Sequence, residues 1–205
     1  MVFAKRVLMA VVGFILIGFS LTVLLIIDSG LDPFGAMVFG FSMLTGFSFG
    51  ITLAIVQVPL ILFILWKRKK LIGLGTLLGM FGTGFIVDFF YWTASLTVIA
   101  ETQFNLLAQL IILMPALLIF SVGAALYMTA DLGMGPYDAT AVAIEDLSGG
   151  KLKFKWVRLA TDAICAAAAF VLGATLGIST VVMVFFIGPL ISYFRKKFKA
   201  YFTFS

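Results

Sequence analysis

Histidine is absent from this sequence of 205 residues, and cysteine occurs once. Without histidine, the commonest metal ligand and the commonest general base at neutral pH are missing. The lone thiol, Cys165, excludes an internal disulfide, and its setting in AICAAAAFVLG reads as buried and inert. Charge is scarce: Asp, Glu, Lys and Arg make up 11% of the chain, against roughly a quarter in soluble domains. No polar segment is long enough for a soluble domain. HExxH, GxSxG, cysteine clusters and a Walker loop are also missing, as are the paired motifs of an intramembrane aspartyl enzyme. The expectation is a protein that is not an enzyme and carries no cofactor.

What is present is apolar surface, 63% of the residues, more than a soluble fold of this length can hide. It falls into runs close to the ~20 residues that cross a bilayer core. Six spans are read at 7–27, 49–66, 72–92, 104–127, 155–174 and 178–194, the third with an apolar continuation to about 99. The first exceeds a signal peptide's apolar core and reads as a retained span. With six spans, all 14 basic residues fall on one side. They are Lys5 and Arg6, the 67–70 cluster, Lys151 to Arg158, and Arg195 to Lys199. Asp28, Asp32 and Glu101 fall on the other. The positive-inside rule then predicts a multi-pass plasma-membrane protein with both termini cytoplasmic. Topology accounts for the net charge of +5, so anionic lipid headgroups, not nucleic acid, are the expected partners of these clusters.

The chain also matches itself at an offset of 103 positions. DSGLDPFGA at 28–36 lies over DLGMGPYDA at 131–139, and Leu44-Thr45-Gly46 over Leu147-Ser148-Gly149. One residue later in register, Gly73 and Thr76 fall on Gly177 and Thr180, and Gly84 on Gly188. Fixed-offset similarity marks a duplication. The expected architecture is all-α, with residues 1–103 and 104–205 as two three-span repeats in a single membrane domain. Three spans is an odd number, so the second repeat must be inverted, a plan shared by many secondary transporters. Each repeat carries a short helix after its first span, at about 33–45 and 136–147, opened by Pro33 and Pro136 and stopped by Thr/Ser-Gly. On the second, Tyr137, Ala141 and Ile144 share one face and Asp138 and Glu145 another, which suits an interfacial helix. The first has almost no polar side chain and could re-enter the membrane.

The candidate solute-binding residues follow from this plan. Asp28, Gly30 and Pro33 in the first motif answer Asp131, Gly133, Gly135, Pro136 and Asp138 in the second. The N–H groups at such helix starts can hold an anion or a carboxylate. Alternatively these are connector helices capped by Asp32, or by Asp28 and Asp131. Asp162 is an ionisable residue within the fifth span, and its repeat mate falls near Gln57. Either the two meet near the midplane, or Asp162 pairs with Arg158 one helical turn away.

The run GAALYMTADLGMGPYDAT resembles the signature of the YczE/YitT-like bacterial integral membrane proteins, as do the GxGT-like element Gly73-Leu74-Gly75-Thr76 and, degraded, Gly177-Ile178-Ser179-Thr180. The resemblance implies a small polytopic protein of a bacterial inner membrane and little about its chemistry. The leading expectation is a small-solute permease or exporter with its site at the repeat interface. The alternative is a non-transporting accessory or scaffold for an enzyme or secretion system. Six short spans enclose little volume, which leaves room for a homo-oligomer.

Overall fold

The computed structural model describes residues 2–97 and 102–202, so the expected external position of Glu101 lies outside the described residues. Among the described residues, eight helices follow one another: α1 (Val2–Ile26), α2 (Pro33–Thr45), α3 (Phe49–Lys67), α4 (Leu74–Ser95), α5 (Leu106–Ala130), α6 (Pro136–Leu147), α7 (Phe154–Val171) and α8 (Ile178–Tyr201). A single π-helical turn interrupts α4 at Leu78–Gly82 and α8 at Met183–Ile187.

Five helices, α1, α3, α4, α5 and α8, are long and apolar enough to cross a membrane. α7 has 18 residues, but Lys155, Arg158 and Asp162 set it apart from those five by composition. α2 and α6 have 13 and 12 residues. At 1.5 Å per residue they are ~20 Å long, too short to cross ~30 Å of hydrocarbon. Large apolar side chains such as Leu62, Trp66, Phe85, Phe89, Phe170 and Phe185 point outward. That surface suits lipid, and the helices satisfy their backbone groups internally, as lipid requires.

α1 and α5 form the antiparallel centre. Ser20 Oγ donates to the Ala116 carbonyl at 2.6 Å, and Gln109 Nε2 to the Ile27 carbonyl at 2.9 Å. Small residues let the two backbones meet: a Cβ on Gly13 would lie 2.6 Å from the Gly123 carbonyl oxygen. α4 runs parallel to α1, with Thr22 Oγ1 3.3 Å from the Val87 carbonyl. α3 returns antiparallel along α4. The short helices are inserted between these elements, α2 against α7 and α6 against α3. One end of the bundle gathers Lys70, Asp131 and Arg195, with an Arg68–Asp146 ion pair at 3.4 Å, and is termed the basic end.

Two loops cross the starts of two helices. In the loop between α5 and α6, Leu132 accepts from Gly75 N at 2.7 Å, and Met134 accepts from Thr76 Oγ1 at 2.7 Å. In the loop between α1 and α2, Ser29 accepts from Ser179 N at 3.1 Å, while the Ser179 hydroxyl bonds the carbonyls of Ser29 and Gly30. Both crossings need left-handed backbone, at Asp28 (φ +48°) and Gly30 (φ +92°), and at Asp131 (φ +52°) and Gly133 (φ +112°). A side chain at Gly133 would be strained by its φ, and its Cβ would lie 2.6 Å from Gly73 N.

Candidate functional site

The two short helices begin close to each other inside the bundle. Proline suits the first position of each because no N–H is needed there. The next residues meet face to face: the rings of Phe34 and Tyr137 stack with centroids 4.4 Å apart. Asp32 closes the start of α2 by accepting from Gly35 N at 3.2 Å. Asp138 stands in the first turn of α6. The chain's own carboxylates thus occupy both helix starts.

Asp138 accepts from Tyr127 Oη at 3.1 Å and forms an ion pair with Arg158 of α7. One turn along α7, Asp162 lies 3.3 Å from Arg158 Nε through each of its oxygens. Tyr137 Oη donates to Asp162 at 2.7 Å, and its ring lies beneath the Arg158 guanidinium at 4.3 Å. Cys165 Sγ is 3.6 Å from the same hydroxyl. One guanidinium is therefore held between two carboxylates and an aromatic face. A third carboxylate, Asp32, borders the same space.

That space consists of two adjoining cavities of about 210 and 330 Å³, which share Asp32, Asp138 and Arg158. The smaller reaches inward to Gln57 and Gly79. The larger lies between α7 and α8, bordered by Phe154 and Asp162 on one side and Met183, Ile187 and Ile191 on the other. A third cavity of about 480 Å³ at the basic end adjoins it at Met128, Met134 and Arg195. The three form a continuous lining from the middle of the bundle to the basic end. At the far end, the cavity beside Asp28 and Gly30 measures about 40 Å³. There α3 and α4 close the bundle: Asp88 accepts from Ser48 Oγ at 2.6 Å and from Gly50 N at 3.0 Å.

Of the sequence-predicted site residues, Pro33, Gln57, Gly135, Pro136, Asp138 and Asp162 border the two central cavities. Asp162 faces protein, and Arg158 is its partner. Gln57 borders only the smaller cavity and Asp162 only the larger, so they do not share one wall. Asp28, Gly30, Asp131 and Gly133 belong to the loop crossings, with Asp131 and Gly133 also on the wall of the cavity at the basic end. Sequence reasoning did not single out Tyr127 or the Asp138–Arg158 pair. The available signal was the run LYMTADLGMGPYD, which holds Tyr127, Tyr137 and Asp138 together. In α6, Pro136, Ala139, Ala141 and Ala143 are buried and Asp138 faces α7. Among the described residues, no group of carboxylates and cysteine is arranged to hold a metal ion.

These features define a multi-pass α-helical membrane protein with bacterial relatives. The chain belongs to DUF6198, a family of unknown function whose model matches residues 4–196. It is similar to an uncharacterized protein of Haemophilus influenzae (strain ATCC 51907 / DSM 11121 / KW20 / Rd), 30% identical over 173 residues, or 83% of this chain and 75% of the relative. It is likewise similar to the uncharacterized protein YyaS of Bacillus subtilis (strain 168), 30% identical over 178 residues, or 85% of this chain and 86% of the relative. No solved structure matches.

Proposed function

We propose that this protein moves a small solute across a bacterial plasma membrane, using the cavity around Asp32, Asp138 and Arg158 as its site. The carrying observation is an asymmetry: a cavity at mid-bundle, bordered by charged side chains, adjoins a cavity of about 480 Å³ at the basic end, whereas the pocket beside Asp28 and Gly30 at the other end measures about 40 Å³. A site open to one side at a time is the basic requirement of a carrier. The reading includes α7 as a sixth span. Arg158 and Asp162 face the bundle, where intramembrane ionisable residues are tolerated. Six spans put both termini in the cytoplasm, and the basic end becomes the cytoplasmic mouth.

The two halves are read as inverted repeats. Support comes from the paired loop crossings, the paired left-handed aspartates and the π-helical turns at matching positions of α4 and α8. Kinship with the YczE/YitT-like proteins belongs to the same reading. Reporter fusions at both termini should give cytoplasmic signals. Purified protein in proteoliposomes should transport members of a solute panel, and Asp162→Asn should abolish that flux while the protein stays folded. Co-purification of a stable partner with no flux for any solute would favour the accessory role instead.

A further inference from the structure

We infer that the central cavity takes a small organic cation, an amine or guanidinium on a short carbon chain; this rests on reading the cavity as a solute site. The balance of polar groups carries the inference. The smaller cavity holds two carboxylates, Asp32 and Asp138, with Arg158 as its cation; the larger adds Asp162 and, where it adjoins the basic end, Arg195. Arg158 is already engaged by Asp138 and Asp162, with Tyr137 beneath it. What remains unspent is acceptor capacity. Asp32 is bonded only through the Gly35 N–H, a contact of 3.2 Å to one of its oxygens.

The second observation is independent of the carboxylates. Gln57, on the opposite wall, is 5% exposed, and its Oε1 has no hydrogen-bond partner. A buried acceptor without a donor is costly, and a ligand N–H is the group that would relieve it. In the smaller cavity an anion would meet Asp32 and Asp138, and an Arg158 already paired with carboxylates. A neutral solute would leave the excess negative charge uncompensated at depth. A bare metal ion lacks the converging ligands it needs. Aromatic residues are among the remaining lining: the Phe14–Tyr127 and Phe34–Tyr137 stacks both border the smaller cavity, and aromatic rings attract cations. Its volume of about 210 Å³ is below the roughly 300–1,000 Å³ of drug-sized sites, so the solute is small.

Arg158 itself illustrates the chemistry: the protein seats its own guanidinium between carboxylates above an aromatic ring. A solute of the same kind would find one further carboxylate, Asp32, and the Gln57 amide on the lining of the smaller cavity.

The test uses the purified full-length protein and five probes of matched length: n-butylguanidinium, agmatine, n-butylamine, butyrate and 1-butanol. Binding is read by calorimetry and thermal shift in detergent, and flux in proteoliposomes. At least one cation should bind, and Asp32→Asn or Gln57→Leu should weaken it tenfold or more. Asn retains an acceptor for Gly35 N, which protects folding in the first variant. Gln57→Glu should act in the opposite sense and tighten the cation threefold or more. Equal binding of butyrate or butanol overturns the cation class, as does an absence of binding by all five. So does weakened cation binding in a folded Gln57→Glu protein. Transported butyrate would overturn the cation class while leaving the transport reading standing. Bound cations without flux would support the ligand class and overturn transport.

Discussion

The helix pairs α3–α4 and α7–α8 each follow one of the two sequence motifs that match at a fixed offset, yet one is latched and the other is open. In the first, a Cβ on Gly84 would lie 2.6 Å from Gly50 Cα, and Asp88 takes hydrogen bonds from Ser48 and Gly50. In the second, a Cβ on Gly188 would meet nothing within 4 Å, and Ser192 stands where the first pair has Asp88. The cavity of about 330 Å³ fills the gap. The helices and loop crossings are alike in the two halves, so the difference comes from a backbone contact and one carboxylate. Closure is thus a local property laid over a shared frame.

The sharpest way to break this comparison is to overfill both places. Gly84→Leu must push two backbones apart and should cost about 3 kcal/mol, whereas Gly188→Leu should change stability by less than about 0.5 kcal/mol. Unfolding in detergent measures both. Equal losses would mean that the second pair also closes tightly. Next is the central ion pair. Arg158→Gln leaves Asp138 and Asp162 facing each other without a cation and should cost about 2 kcal/mol. Adding Asp162→Asn should recover most of that loss, and a purely additive double mutant would refute the coupling.

The loop crossing should respond with similar strength. Gly133→Ala meets both its φ and the Gly73 backbone and should cost about 2 kcal/mol. Gly135→Ala, two residues on, has its nearest neighbour at 3.8 Å and should fall within about 0.5 kcal/mol. A reversed order would show that the loop is not held at Leu132. The smallest expected effect is that of the latch carboxylate. Asp88→Ala should cost about 1 kcal/mol, as loss of a helix cap does. In a Cys165→Ser background it should also speed thiol labelling at Leu53→Cys from the α3–α4 side, and an unchanged rate would argue against a latch.

The short helices were legible in the sequence because their signals are local. Pro33 and Pro136 start them, and Gly46 ends the first in left-handed backbone at φ +73°. The Arg158–Asp162 pair was legible for the same reason, since four positions on a helix are one turn. Asp138 with Arg158, and Asp88 with Ser48, are 20 and 40 positions apart. No periodicity reports such contacts. α6 shows what composition leaves open. Its alternation of polar and apolar residues suits a membrane surface, and its small alanines pack on α3, which turns Asp138 inward. The glycines of the motifs read equally well as ligand cradles and as crossing points. Only the hydrogen bonds from Gly75 and Ser179 distinguish the two.

The crossings carry one more consequence, for each half alone. The α1–α2 loop is held by the start of α8, and the α5–α6 loop by the start of α4. Neither half contains the surface that shapes its own loop. On the reading of the halves as repeats, a lone half would fold this way only beside a second copy, each lending the other its clasp. Two separately expressed halves should therefore rescue each other from cellular proteolysis, while either half alone is degraded.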